Sequence, residues 1–320
     1  MFFKCIGNFF RFCTKNSVTN NKRKMGSIVP EFSLLEIVKS QLNNQEMEVD
    51  YYVASFSSPM QLSKFPHRAS YFGIAVCTRG SATLFANLEH YDLSPGSLIA
   101  MEPEVIRSWK AQSADYAEEV LFFTMPFFLE TTNNLNLFKG FRFFQNETPK
   151  AVQLNLNEAN LINGLLQEVK NLINLPSNRK DEMVRSYINI LLNQVADLYD
   201  KYNHAEFVKS TTQERIVMRF KQLLTQKYLQ LRTVNGYADL MNITPKHLSQ
   251  TIKETTGRTA REWIHEILIL EAKVRLTQTS LSIAQIADAL NFSDASLFGK
   301  YFKRYAGYAP LSYRKQLAKQ

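Results

Sequence analysis

The groups able to do covalent or metal chemistry are sparse in this chain. Its five histidines, His67, His90, His204, His247 and His265, show neither HxH nor HxxxH spacing, and Cys5, Cys13 and Cys77 form no CxxC pair. A metal centre needs several such ligands converging on one point, so neither metal nor cofactor is expected. No GxSxG turn, phosphate-cradling glycine loop or Cys/His pair occurs, and the chain is expected not to be an enzyme. What remains is ionic and hydrogen-bonding chemistry in two stretches. Lys246, Gln250 and Lys253 recur at helical spacing with His247 beside them; Ser296, Lys300 and Lys303 do the same, with Ala295 and Gly299 alongside. Near a helix N-terminus such groups read base edges in the major groove, and lysines farther along meet phosphates.

The charge distribution favours that chemistry. Residues 1–24 hold six Lys/Arg and no acid, residues 25–210 hold 15 basic and 21 acidic, and residues 211–320 hold 17 basic and eight acidic, giving +6, −6 and +9. A basic module joined to an acidic one points to a polyanion partner for that module alone. With 320 residues, 45% hydrophobic and 21% charged, the chain is expected to form two folded domains. No apolar run approaches the roughly 18 residues of a membrane span, and the cysteine usage fits a reducing cytoplasm. In residues 1–24 the apolar stretch is broken by Lys4, Asn8 and Arg11, and no small-residue cleavage site follows. The segment reads as a flexible basic leader rather than a signal peptide, with Met25 as an alternative start and a membrane-surface helix as the other reading.

These groups must be positioned by two kinds of element. From Val49 to about Leu154, short runs such as YYVASF, YFGIAVC, ATLFAN, SLIAM, VLFFTM and FRFF read as strands of a small barrel or sandwich. Thr78-Arg79-Gly80-Ser81 reads as a hairpin connection and Ser94-Pro95-Gly96 as another turn. Between Asn157 and Tyr202, Leu161, Leu165, Val169 and Leu172, then Val184, Ile188, Leu191, Val195 and Leu198, follow helical spacing, with Pro176-Ser177-Asn178 between two helices. This helical pair covers the barrel and could also present a homodimer face. Residues 204–212 read as a linker. The expected division is therefore a leader over 1–24, a sensor or dimerisation domain over 25–203, and an all-helical domain over 213–320.

The helical domain contains one motif twice. Ala238, Asp239 and Asn242 match Ala287, Asp288 and Asn291; after a one-residue insertion, Leu248, Ile252, Lys253 and Gly257 match Phe298, Phe302, Lys303 and Gly307. Each copy has the marks of a helix-turn-helix. A small alanine allows close helix crossing, and asparagine suits a left-handed turn. An apolar residue follows (Ile243, Phe292), Thr244 and Ser293 are suited to cap the second helix, and glycine ends it. Between the copies, TAREWIHEILILEAKVRLTQT reads as a helix of roughly 28 Å at ~1.5 Å per residue. That length could hold two recognition helices near the ~34 Å separation of successive major grooves. Gly299 lies mid-helix, where it costs roughly 1 kcal/mol against alanine, and close approach to DNA would account for it.

The stretch IADALNFSDASLFGKYFKRYAGYAPLSYRK resembles the signature of AraC/XylS-type bacterial transcriptional regulators. It matches at Ile286, Ala287, Phe292, Ser293, Ser296, Phe298, Phe302, Lys303, Gly307, Pro310, Tyr313 and Arg314. Departures are Asn291 for the usual glycine, Leu297 for a frequent aromatic residue and Ala309 for a frequent threonine. The N-terminal half resembles the family's cupin-like sensor domain more loosely, through SPGSLIAMEPEVIRSW. Arg107 stands there near the place of a cupin metal-binding histidine. The implied fold is α+β and multidomain: an N-terminal cupin-like β-barrel with a helical extension, then an all-α domain with two helix-turn-helix units joined by a linker helix. The implied function is sequence-specific DNA binding in transcriptional regulation, controlled by a small-molecule effector or by dimerisation. Phe72, Phe85, Arg107 and Trp109 are the candidate effector-lining residues. Double-stranded promoter DNA is the expected partner, with a homodimer through residues 157–203 and, for an activator, RNA polymerase as further ones. The alternative is a cupin-type small-molecule-binding protein or enzyme with a helical appendage.

Overall fold

The computed structural model describes residues 50–56, 65–103, 105–111, 113–130, 140–144, 148, 150–209 and 211–317; the expected leader lies outside them. The N-terminal half contains β1 (Tyr51–Phe56), β2 (Phe72–Arg79), β3 (Ala82–Ala86), β4 (Glu89–Leu93), β5 (Ser97–Met101), β6 (Arg107–Ala111), β7 (Ala117–Phe123) and β8 (Ala151–Gln153). These form a five-stranded sheet of order β1-β7-β2-β5-β8 and a three-stranded sheet of order β4-β3-β6. All pairings are antiparallel.

Two features of the strand region depart from the sequence reading. Thr78 and Arg79 still belong to β2, and the link Gly80–Ser81 carries the chain from one sheet to the other instead of closing a hairpin. Gly80 has φ +66°, and a Cβ there would lie 2.6 Å from the Tyr116 backbone nitrogen, so the crossing requires glycine. The hairpin instead joins β3 to β4, through Asn87 at φ +52°. FRFF is also not a strand: Arg142–Phe144 is a 3₁₀ turn. Phe143 and Phe144 are consecutive yet buried in one core, which the alternating faces of a strand do not permit.

Period-two alternation divides the five-stranded sheet between two cores. Val53, Ile74, Leu121 and Phe123 face helices α2 (Leu156–Ile173) and α3 (Lys180–Lys209), following the short α1 (Met125–Leu129). Ala54, Ala75, Val120 and Phe122 face the three-stranded sheet across a second core. Helix α2 opens with a reciprocal cap between Asn155 and Glu158. Its buried stripe is Ile162, Leu166 and Val169, one position away from the expected register at its start, so Leu161 is exposed. The expected stripe of α3 is buried from Val184 to Leu198. Helix α3 continues to Lys209, so much of the segment expected as a linker is helical.

The C-terminal half follows as α4 (Thr212–Lys227), α5 (Val234–Leu240), α6 (Pro245–Thr256), α7 (Ala260–Gln278), α8 (Ile283–Ala289), α9 (Ala295–Ala306) and α10 (Pro310–Leu317). Capping boxes at Thr211/Glu214, Thr259/Glu262 and Ser282/Gln285 start α4, α7 and α8. Helix α7 runs through both halves of this domain. Trp263, Ile264 and Ile267 belong to the core shared with α4, α5 and α6; Leu268, Ala272 and Leu276 belong to the core shared with α8 and α9.

The two halves meet on α7 and on α4. Arg68 Nη1 donates to Glu271 Oε2 at 2.7 Å, and Arg275 Nε donates to Glu271 Oε1 at 2.6 Å. The Gln278 side-chain amide brackets the Arg68 backbone, accepting from its N–H at 2.8 Å and donating to its C=O at 3.0 Å. Leu88, in the β3–β4 turn, packs on the α4–α6 core, and Lys221 Nζ lies 2.7 Å from Glu89. Burial alone would raise the pKa of the fully buried Glu271, but the two guanidinium groups outweigh it and hold the carboxylate below its usual range. None of the contacting residues was singled out from the sequence.

Candidate nucleic-acid interface

Each helix-turn-helix unit is built around a left-handed asparagine. Asn242 has φ +53° and Asn291 φ +54°. In each unit the next residue's N–H bonds back to the alanine carbonyl, Ile243 to Ala238 at 3.1 Å and Phe292 to Ala287 at 2.9 Å. Both alanines are buried, as close crossing requires. Leu248 and Ile252 anchor α6, and Phe298 and Phe302 anchor α9, all four completely buried. Gly257 and Gly307 end the two helices at φ +72° and +83°.

The N-caps refine the alignment of the repeat. Thr244 caps α6, its hydroxyl accepting from the His247 N–H at 3.1 Å. In the second unit the cap is Asp294, whose carboxylate accepts from the Leu297 N–H at 2.7 Å, and not the expected Ser293. Ser293 instead donates to Asp294 at 3.1 Å. The extra residue of the second unit therefore lies in its turn, before the helix begins. Hydrogen bonds from the Leu297 N–H and then Ser293 lower the Asp294 pKa, so this cap is ionised at neutral pH.

With the anchors inside, the expected polar groups face outward. Lys246, His247, Gln250 and Lys253 are exposed on α6; Ser296, Lys300 and Lys303 are exposed on α9, with Ala295 and Gly299 half-exposed. A Cβ added at Gly299 would meet no atom of the described protein within 4 Å, so packing within the domain does not require glycine there. Two features of these faces were not anticipated. Gln250 Nε2 donates to Glu254 Oε1 at 2.8 Å, which orients the amide and places a carboxylate beside it; the i, i+4 spacing was the available signal. Leu297, next to Ser296, is 50% exposed and offers an apolar contact of the kind a thymine methyl accepts. Around α10, Arg314 Nε donates to the Leu276 carbonyl at 3.1 Å and the Tyr313 ring meets Phe302 at 5.7 Å. These signature residues hold the second unit together.

The four proposed effector-lining residues do not share one chamber. Phe72 lies on the helix-facing side of β2, stacked on Phe123 with ring centres 5.5 Å apart. Phe85 points outward from β3 and is 42% exposed. Both placements follow from strand alternation, which the sequence reading did not phase. Arg107 is buried at the start of β6, with Nη2 donating to the Glu102 carbonyl at 2.8 Å. Trp109 packs on the inter-sheet core, and its buried Nε1 has no hydrogen-bond partner among the described residues. Two polar groups missed from the sequence are associated with these sheets. Lys150 Nζ donates to both Glu102 oxygens at 2.8 Å. Glu118 accepts from the Tyr116 hydroxyl at 2.6 Å, and burial pushes its carboxyl up to about 7 against that bond. No group of three or more His, Cys, Asp or Glu able to hold a metal occurs among the described residues.

Comparison with known proteins agrees with both halves of this picture. Residues 51–186 match the family model of the AraC-like ligand binding domain, and residues 237–316 match that of a helix-turn-helix domain. The chain is 23% identical over 282 residues to the Msm operon regulatory protein of Streptococcus mutans, covering 86% of this chain and 95% of that protein. It is 36% identical over 81 residues to the HTH-type transcriptional activator RhaS of Pectobacterium atrosepticum, a match covering 25% of this chain and 29% of that one. Among solved structures, ToxT from Vibrio cholerae aligns with a TM-score of 0.38 and 16% identity over 83% of this chain and 98% of that chain. With an AraC-like ligand binding domain followed by its doubled helix-turn-helix, the chain belongs to the AraC-type family of DNA-binding transcriptional regulators.

Proposed function

We propose that the outward faces of α6 and α9 read an operator in the cytoplasm, and that the barrel controls this reading through α7. The sensor unit spans residues 25–203 and the DNA-reading unit residues 213–320. Lys246, His247, Gln250, Ala295, Ser296 and Gly299 lie nearest the helix starts and meet base edges; Lys253, Lys300 and Lys303 meet phosphates. The protein catalyses no reaction in this reading. The observation that carries the control is the ionic contact of Arg68 with Glu271, which ties the sensor to the helix joining both DNA-reading units.

A route from the barrel to this contact is continuous. Trp109 and Arg107 stand on β6, whose first residue exchanges two backbone hydrogen bonds with His67 at 3.0 and 2.9 Å. Trp109 also stacks on the His67 ring at 6.2 Å. A small molecule that engages Trp109 Nε1 would displace β6, and with it the segment carrying Arg68. Such a ligand shifts the equilibrium only by its differential affinity for the docked and undocked arrangements. Exposed Leu161 and Ile190 on the α2–α3 pair, with Leu175 in the connection between the two helices, supply the apolar surface for a homodimer.

Two measurements test this reading. Full-length protein is used to select duplexes from a random library, and each selected duplex is titrated at several salt concentrations. Lys246→Ala and Gln250→Ala are expected to change the selected sequence. Lys253→Ala and Lys303→Ala are expected to weaken all duplexes alike and to lower the salt slope by about one each. A thermal-shift screen of metabolites then identifies an effector. That effector should alter DNA affinity in the wild type and lose this influence in Arg68→Met; an equal influence in both proteins would refute the route through Arg68.

A further inference from the structure

The two helix-turn-helix units are joined by more than the shared helix α7. The connection from α4 to α5, residues 228–233, crosses from the first unit to the turn of the second. Tyr228 packs against both domain cores, and Leu229 packs against the second. The Asn291 side-chain amide donates to the Leu229 carbonyl at 2.9 Å. From the same connection, the Arg232 guanidinium donates to the Leu290 carbonyl at the end of α8. Its carbon lies 4.6 Å from the centre of the Phe292 ring. Three consecutive residues of the second turn, Leu290, Asn291 and Phe292, are thus held by two residues of the first unit.

We propose that Asn291 and Arg232 form a strut that fixes the separation and relative rotation of the two recognition helices, making the protein selective for the distance between its two half-sites. Glycine would satisfy the backbone at position 291, because it adopts φ +54° without strain. It has no side chain with which to hold Leu229. The first unit supplies an internal control. Asn242 has the same backbone conformation, φ +53°, and no comparable bond joins it to another element among the described residues. The two asparagines share one turn conformation, and only one is expected to set spacing. The strut matters because DNA is an angular ruler. One inserted base pair turns the second half-site by about 35° and moves it about 3.4 Å, so a rigid pair of helices cannot follow it while a loosened pair can.

The proposal rests on both units engaging DNA at once, and the experiment separates the two claims. A duplex is first selected from a random library with the full-length chain, and its protected region is mapped by footprinting. The Kd for that duplex is compared with the Kd for one carrying an extra base pair between the half-sites. The wild type is expected to prefer the selected spacing by about tenfold or more, since a misplaced half-site loses at least one specific contact. Asn291→Gly should reduce that preference by about threefold or more, the effect of one lost hydrogen bond. Arg232→Met, which keeps an apolar contact with Phe292, should reduce it similarly, while Asn242→Gly should leave it unchanged. A cooperative melt for each variant confirms folding. A two-half-site footprint with undiminished discrimination in Asn291→Gly overturns the strut alone, as does an equal effect of Asn242→Gly. A wild-type footprint covering one half-site overturns the two-unit reading and the strut together.

Discussion

Replacing Arg68 by methionine removes the guanidinium that enters the DNA-reading half while keeping an unbranched side chain. Glu271 is fully buried and holds Arg68 at 2.7 Å and Arg275 at 2.6 Å. Breaking a buried ion pair costs about 3–5 kcal/mol when the surviving charge stays buried. Here Arg275 still neutralises the carboxylate, and undocking readmits water to it. The expected loss is therefore about 2 kcal/mol, or roughly a 30-fold shift toward the undocked arrangement. The Arg68 amide reports this directly, since its N–H bonds to Gln278 across the interface at 2.8 Å. The His67 amide bonds to Arg107 within the barrel at 3.0 Å and serves as reference. Hydrogen exchange followed residue by residue should show the position-68 amide exchanging about 30-fold faster in Arg68→Met, with that of His67 unchanged. Acceleration of less than about threefold, or equal acceleration of both amides, would refute the docking role of the Arg68–Glu271 contact. The pH dependence has a fixed sign. Because Glu271 titrates below the usual carboxylate range, its contribution is present above that range and is lost as pH falls through the folded value. The difference between wild type and Glu271→Gln should close in acid.

Three further outcomes are expected. Gly299→Ala should stabilise the chain by about 1 kcal/mol in thermal denaturation, since the new Cβ meets no described protein atom within 4 Å; unchanged DNA affinity would show that close approach to DNA is not the reason for glycine. Asp294→Ala should cost about 1 kcal/mol as the lost cap of α9, whereas Ser293→Ala should change stability by less than about 0.5 kcal/mol; the reverse order would restore Ser293 as the cap. Glu118, raised from 4.5 to about 7 by burial, binds its proton more tightly in the folded state. Stability should therefore decline between about pH 4.5 and pH 7 by up to about 3 kcal/mol, and denaturant titrations should show a flatter profile for Glu118→Gln.

The DNA-reading half was legible almost residue by residue because its information is local. Caps, left-handed turns and i, i+4 anchors operate within a few residues, and a motif that occurs twice corrects itself. Its one slip, Ser293 for Asp294, arose where the second copy gains a residue and two adjacent side chains can both cap. The barrel was legible only as a series of strands. Phe72 and Phe85 were grouped with Arg107 and Trp109 because composition marks an aromatic residue without saying which side of its strand it occupies. In the same way FRFF has a strand-like composition, yet burial of Phe143 beside Phe144 in one core made it a 3₁₀ turn.

The sequence by itself determined the class of each half, the doubled recognition unit, the basic character of the reading domain and the residues on its outward faces. Only the tertiary structure decided which strands share a sheet, which side chains face the inter-sheet core and what connects the parts. Arg68 meets Glu271 across 203 residues of chain, and Asn291 meets Leu229 across 62. Neither pairing leaves a periodic signal, because the geometry that brings the partners together belongs to packed elements and not to neighbours along the backbone. Asn291 shows the division within a single residue: its place in the sequence identifies a left-handed turn, and its place in the fold makes it a brace between two DNA-reading units.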